Sequence, residues 1–168
     1  MDLATSTIQE YKSLPDFWWL ILLGTFSISF TIQKIRSKNS LSNCTRLINS
    51  LLMTYCMFII LETLMNRNSV SGGYALMPFW SYIAACNGNP TLWNEIILNY
   101  LLFMPFGILM FLATGKLKKS VVCGFIFSCI VEILQLILSI GLFEFDDIIG
   151  NTFGSLIGSL IGKELKYI

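Results

Sequence analysis

The sequence contains no histidine. Histidine is the commonest general base near neutral pH and a frequent zinc ligand, so its absence excludes a Ser-His-Asp triad and the usual zinc sites. The five cysteines form no Cys-x-x-Cys pair, and four of them lie in apolar runs, where a small buried hydrophobe is the expected role. We therefore predict no bound cofactor and no metal centre built on histidine or cysteine.

Charge is also scarce. Only 12% of the 168 residues are charged, 55% are hydrophobic, and the net charge is +1, whereas soluble domains are about one quarter charged. Because no basic stripe is present to neutralise phosphates, a nucleic-acid partner is not expected. The apolar residues gather in runs of about 20, the length that crosses about 30 Å of hydrocarbon. The chain is therefore predicted to be an integral membrane protein.

Five apolar segments are predicted to span the membrane, at residues 17–33, 44–64, 94–113, 120–140 and 148–162. The last is short for a full crossing, but Lys163 and Lys166 can extend back to the interface. The predicted fold is an all-α bundle of about five transmembrane helices.

Lysine and arginine set the predicted orientation. They cluster in the first connection, in the third connection and after the last span, at Lys34, Arg36, Lys38, Arg46, Lys116, Lys118, Lys119, Lys163 and Lys166. Positive residues favour the cytoplasmic side, which places the N-terminus outside and the C-terminus inside.

The second connection, residues 65–93, is too long for a simple turn. Its apolar stretch at 74–85 is too short to cross the membrane. We predict a re-entrant or interfacial segment, with Trp80, Tyr82 and Trp93 at headgroup depth. A plain aromatic belt and a lid over a site are equal alternatives.

Polar residues are predicted to meet in the outer half of the bundle. With this orientation five of them reach the same depth and form the predicted ligand-binding set: Asn99, Glu132, Gln135, Asp147 and Asn151. Two helical stripes support the set, since polar residues recur on one face at 128, 132, 135 and 139, and at 147, 151, 155 and 159. An ionised carboxylate near the bilayer centre costs about 2.5 to 3.5 kcal/mol. Glu132 is therefore expected to face the bundle and to be paired, hydrated or protonated.

The acids before the last span have a simpler alternative. Glu144 and Asp146 are expected to lie in a solvated loop or to cap the helix, where negative charge is favourable. For Asp147 a cap and a pocket residue are equal alternatives. Glu132 is expected to lie away from any helix end.

Glycine recurs at every fourth position of the last span, at Gly150, Gly154, Gly158 and Gly162. Small residues at this spacing let helix backbones approach closely, so this face is predicted to pack against a neighbouring helix, with a homodimer contact as the alternative. Pro105 lies inside the third span, where it is expected to free the carbonyl of Leu101 and to kink the helix beside Asn99.

Three motifs resemble those of the VanZ-like family of bacterial membrane proteins: LNYLLFMPFG from Leu98, EILQ from Glu132 and DDIIGNTFGSLIG from Asp146. Met77 to Phe79 also matches the family's upstream Pro-Phe. Many members carry an arginine six residues before the aspartate, where this chain has Gly141. The resemblance covers residues 75–162, which divides the chain into an N-terminal segment, 1–66, with two helices and a VanZ-like domain, 67–168.

The resemblance implies resistance to teicoplanin and related lipoglycopeptides. It marks as functional or structural positions Pro78, Asn99, Pro105, Gly107, Glu132, Gln135, Asp147, Asn151 and Gly154. The first hypothesis is a non-catalytic protein that binds a lipid, a lipid-linked wall precursor or the drug in an outer-leaflet pocket. The alternatives are an enzyme, with Glu132 as general acid or base and Asp147 as its ionised partner, and a transporter. Binding of a divalent cation by these carboxylates is a further alternative.

Overall fold

The computed structural model describes residues 18–36, 42–65 and 73–166. They form six helices and two short strands: α1 (Trp18–Arg36), α2 (Asn43–Met65), β1 (Gly73–Ala75), α3 (Trp80–Cys86), α4 (Thr91–Thr114), α5 (Leu117–Leu138), β2 (Leu142–Glu144) and α6 (Phe145–Leu165).

Four of these helices are long and apolar enough to cross a membrane: α1, α2, α4 and α5. The prediction of an all-α membrane protein is confirmed in this form. Helix α6 has 21 residues but is not one of these four, since glycine, serine and charged residues occupy many of its positions. The number of crossings, the orientation and the re-entrant segment stay predictions.

The glycine face of α6 packs against α4. A β-carbon at Gly154 would collide with the backbone of Tyr100, and one at Gly158 would collide with the backbone of Met104. One turn further, a β-carbon at Gly162 would lie 3.0 Å from the Ile108 carbonyl oxygen. The contact residues on both helices recur at steps of four, so the two backbones touch along a straight seam. The prediction that this face packs against a neighbouring helix is confirmed.

Cross-helix hydrogen bonds give the directions of the helices. Near the starts of α4 and α6, the Asn99 amide donates to Asp147, so these two helices run parallel. Asn151 on α6 donates to Ser128 in the middle of α5, and Gln135, near the end of α5, donates to the Thr63 carbonyl, near the end of α2. The starts of α4 and α6 therefore lie at the same end of the bundle as the ends of α2 and α5.

An apolar cluster joins the three helices α2, α4 and α5 in the middle of the bundle. Ile59, Phe103, Phe106 and Val131 are all buried there and pack together. This cluster, with the α4–α6 seam, fixes where the polar side chains at each end of the bundle can lie.

The two strands pair in parallel, with Gly73 opposite Leu142 and Ala75 opposite Glu144. This pairing ties the second connection to the segment between α5 and α6. The sequence did not predict it, because strands of three residues have no readable period. The stretch predicted as re-entrant, residues 74–85, contains part of β1, a turn and most of α3.

Pro105 lies inside α4, which continues through it. The Tyr55 hydroxyl on α2 donates to the Leu102 carbonyl, 2.9 Å away and three residues before the proline. The Tyr55 hydroxyl thus reaches the carbonyl next to that of Leu101, which is the one that Pro105 leaves without its helical donor. The kink itself stays a prediction.

Candidate functional site

A small cleft opens at the end of the bundle where α4 and α6 begin. It lies between α3, α4 and the start of α6, and its volume is about 10 Å³, about the space of one water molecule. Its lining residues are Ser81, Tyr82, Leu92, Glu95, Ile96, Asn99, Glu144, Asp146, Asp147 and Gly150. Four of them are acids and, within the described chain, none that lines the cleft is a lysine or arginine. We call this end of the bundle the acidic end.

Asp146 holds the start of α3. Its carboxylate accepts hydrogen bonds from the Phe79 amide at 2.5 Å, the Ser81 amide at 2.9 Å and the Ser81 hydroxyl at 2.6 Å. Phe79 adopts a left-handed backbone, φ 63°, as the chain turns into the helix. The carboxylate thus replaces the missing acceptors of the first helical turn.

The prediction that Asp146 lies in a solvated loop is wrong. Its side chain is only 3% exposed. A carboxylate can be buried when hydrogen-bond donors replace its water, and three donors from the α3 segment do so here. Asp146 does cap a helix, but the helix is α3 and not its own.

Glu132 reaches the segment between β2 and α6. Its Oε2 accepts a hydrogen bond of 3.0 Å from the Glu144 amide, and the side chain is 1% exposed. Glu144 is the N-cap residue of α6, so the expectation that Glu132 lies away from any helix end is wrong. Glu144 itself is half-buried in β2 rather than in a solvated loop. Glu132 faces the bundle and binds a backbone amide, as an interior carboxylate must.

Asn99 and Asp147 are the predicted ligand residues that the structure brings into the cleft. The Asn99 amide donates to Asp147 Oδ1 at 2.7 Å, and both side chains are half-buried. Because Asn99 comes from α4 and Asp147 from α6, this bond also joins the two helices whose backbones touch below it.

Gln135 and Asn151 lie outside the lining of the cleft, among the helices. Gln135 donates to the Thr63 carbonyl at 3.1 Å, and Asn151 donates to Ser128 Oγ at 2.9 Å. Both are buried, at 1% and 4% exposure. The polar stripe of α5 is buried at Ser128, Glu132 and Gln135, but it ends there, since Ser139 is exposed after the helix. The predicted set of five thus divides between the cleft and the helix contacts.

Aromatic side chains border the cleft. The Tyr82 and Tyr100 hydroxyls share a hydrogen bond of 3.1 Å, and the Tyr82 ring meets Trp93 edge to face. Burial raises the pKa of Tyr82 above its usual value, with further contributions from Tyr100 and from the negative charges of Asp146 and Asp147. Tyr82 therefore keeps its proton at physiological pH, and the nearby carboxylates give it a negatively charged environment.

The predicted structural positions have distinct surroundings. Pro78 is exposed in the turn before α3. A β-carbon at Gly107 would collide with the backbone of Ser155, so this glycine permits a second close contact between α4 and α6. Gly150 is less constrained, since a β-carbon there would lie 3.6 Å from Asn99 Cβ, an ordinary contact.

Sequence reasoning missed Asp146, Ser81 and Glu95 as residues of the site. The signal for Asp146 was present in the adjacent aspartates, because consecutive helical residues point about 100° apart and cannot serve the same partner. In the described ranges, no group of three or more cysteine, aspartate or glutamate side chains is arranged to hold a metal ion.

The family described as VanZ/LLP1 matches the chain over residues 17–166. The matched range includes α1 and α2 as well as the residues of the three motifs. No match was found among curated proteins or among solved structures.

Proposed function

Because the chain belongs to the VanZ/LLP1 family, we propose that it is a multi-pass protein of the bacterial cell membrane that protects against teicoplanin and related lipoglycopeptides. The proposed mechanism is binding, without catalysis, at the cleft of the acidic end. The ligand would be a cell-wall precursor, a membrane lipid or the drug itself, bound on the outer side of the membrane. The five-helix topology, with the N-terminus outside, is part of this proposal.

The lining of the cleft is the observation that carries the proposal. Glu95, Glu144 and Asp147 line a space that Tyr82 also lines. Carboxylates accept hydrogen bonds and attract cations, and a neighbouring aromatic residue favours cations through cation–π attraction. The cleft therefore suits a group rich in N–H donors or carrying an ammonium, and disfavours a bare phosphate.

The size of the cleft sets a condition on binding. A space of about 10 Å³ admits a single polar tip and not a whole headgroup. A larger ligand would have to displace α3, which covers the cleft and is held by Asp146. The second connection would then act as a lid over the cleft, which is one of the two alternatives that the sequence leaves open for it.

The surroundings of Glu132 support binding over acid–base catalysis. Its side chain is 1% exposed, lies outside the lining of the cleft and accepts a hydrogen bond from the backbone amide of Glu144. It acts on the cleft through Glu144 and is in this sense a positioning residue. A general acid or base must reach the proton that it transfers, and the buried position of Glu132 does not favour such contact.

The test is teicoplanin and vancomycin susceptibility of a sensitive Gram-positive host that expresses matched membrane levels of each variant. We expect the unmodified chain to protect, Asp147→Asn to lose most protection because the cleft loses charge, and Glu132→Gln to keep part of it. A glutamine at this position can still accept the hydrogen bond from the Glu144 amide through its side-chain carbonyl oxygen. If Glu132→Gln abolishes protection entirely while folding normally, acid–base chemistry replaces binding as the mechanism.

Glu164→Gln is the matched control, because it removes one carboxylate from the exposed far end of α6. It should protect as well as the unmodified chain. If the unmodified chain itself gives no protection, the proposed resistance function is wrong.

A further inference from the structure

The end of the bundle opposite the cleft carries a concentrated positive charge. Helix α4 ends there, α5 begins and α6 ends, and the exposed lysines of these three elements are Lys116, Lys118, Lys119, Lys163 and Lys166. Glu164 is the one acid of the described residues 115–166 near this end, so five lysines against one glutamate give a formal charge of +4. We call these five residues the lysine face.

The lysines of separate segments meet on one surface. The Lys166 ammonium lies over the turn between α4 and α5, where a β-carbon at Gly115 would be 2.9 Å from Nζ. Gly115 has a left-handed backbone, φ 68°, which brings α5 back beside the end of α6. The lysine of α6 and those of α5 can therefore contact one anionic layer together.

The start of α5 adds to the attraction for anions. Lys116 is its N-cap residue and no side chain caps the helix. The first N–H groups of a helix have no acceptors within it and carry partial positive charge. Lys118 and Lys119 stand in this same first turn, so their ammonium groups and the helix end favour the same negative group.

We propose that the lysine face binds the headgroups of anionic phospholipids in the leaflet at this end of the bundle. The apolar lengths of α4 and α5 place their ends at the level of the headgroups. A lysine near an anionic membrane surface contributes about a fivefold preference, which corresponds to about 1 kcal/mol. Several lysines on one surface therefore select anionic over zwitterionic lipid.

The test uses the purified full-length chain in nonionic detergent micelles. Short-chain phosphatidylglycerol is titrated against short-chain phosphatidylcholine, and lipid binding is read by native mass spectrometry and by the midpoint of thermal unfolding. We expect phosphatidylglycerol to bind at least tenfold more tightly, with the preference reduced by high salt because exposed charges are screened. Equal binding of the two lipids would overturn the proposal.

Variants locate the effect. Lys116→Gln, Lys118→Gln and Lys119→Gln combined should reduce phosphatidylglycerol binding by more than tenfold, and Lys163→Gln with Lys166→Gln should reduce it by a smaller factor. Lys118→Arg with Lys119→Arg should retain it, since the charges remain. Lys34→Gln removes one exposed charge from α1 and should reduce binding by no more than the factor of about five expected for a single lysine. Undiminished binding in the triple variant would contradict the assignment.

Inorganic phosphate at the same concentrations distinguishes a lipid surface from a small-anion site. It should not raise the unfolding midpoint, because a single phosphate lacks the acyl chains that hold a headgroup at the interface. Stabilisation by phosphate equal to that by phosphatidylglycerol would replace the lipid with a free anion as the ligand. This proposal does not depend on the function proposed for the cleft.

Discussion

Asp146 and Asp147 are adjacent at the start of α6, but their carboxylates bind different elements. Asp146 binds the amides and the hydroxyl that begin α3, whereas Asp147 binds the Asn99 amide from α4. One aspartate therefore positions the cover of the cleft, and the other forms part of its wall. The two roles can be separated by substitution.

Asp146→Ala should release α3 from the bundle. Hydrogen bonds to a buried charged group contribute about 1.5 to 3 kcal/mol, so amide hydrogen exchange in residues 80–86 should become about 10- to 100-fold faster. Asp147→Ala, measured by the same exchange experiment, should leave these amides nearly unchanged while loosening the contact of α4 with α6. Equal hydrogen-exchange rates of the α3 amides in the two variants would mean that Asp146 does not hold α3 in place.

Sequence reasoning could assign Glu132 to the interior but not Asp146. Glu132 lies within a long apolar helix, where period and depth alone require it to face other helices. Burial of Asp146 depends on Ser81 and Phe79, which reach it from the second connection. The adjacent aspartates indicate that the two carboxylates serve different partners, but no local pattern identifies α3 as the partner of Asp146.

The glycine repeat of α6 was readable because the helical period fixes which residues share a face. The four glycines are not equivalent, however. At Gly158 a β-carbon would collide with the Met104 carbonyl, while at Gly150 it would meet Asn99 at ordinary distance. The sequence predicts the face, but only the packing of α4 shows where the backbones touch.

Gly158→Ala should destabilise the protein by about 1 to 3 kcal/mol, because α4 and α6 must separate to admit the methyl group. Gly150→Ala should be neutral or slightly stabilising, since alanine is the better helix former. The measurement is the thermal unfolding midpoint of each variant in detergent. A Gly150→Ala variant as unstable as Gly158→Ala would show that contact with the α4 backbone does not set the effect.

The β1–β2 pair was beyond sequence reasoning for a different reason. Its strands have three residues each, and they pair between segments that precede α3 and α6. Such short strands are held by the helices on either side rather than by their own propensity. The pairing brings the second connection to Glu144, and so closes the cleft from the side of β2.

The whole molecule has an acidic end and the lysine face at its opposite end. Asn99 and Asp147 meet where α4 and α6 begin, and Lys166 meets Gly115 where α6 and α4 end. The positive-inside rule would place the lysine face toward the cytoplasm, which is the orientation predicted from the sequence. The topology also has a direct test, because exposed cysteines occur at both ends.

Cys86 lies at the end of α3, on the acidic side, and Cys44 lies at the start of α2, on the opposite side; both are exposed. In variants that keep only one of them, a membrane-impermeant maleimide should label Cys86 in intact cells and Cys44 only after permeabilisation. Labelling in the reverse pattern would invert the orientation and place the cleft in the cytoplasm, away from wall precursors.

Helix α6 decides between four and five crossings. Ser139 and Glu164 are exposed on either side of it, so each can be replaced by cysteine in a background free of other cysteines. If α6 crosses, Ser139→Cys is labelled in intact cells and Glu164→Cys requires permeabilisation. Close packing of its glycines against α4 explains how a helix with so many polar residues can cross, since its serines face protein rather than lipid. Labelling of both positions in intact cells would leave four crossings and would separate Lys163 and Lys166 from the other three lysines of the lysine face.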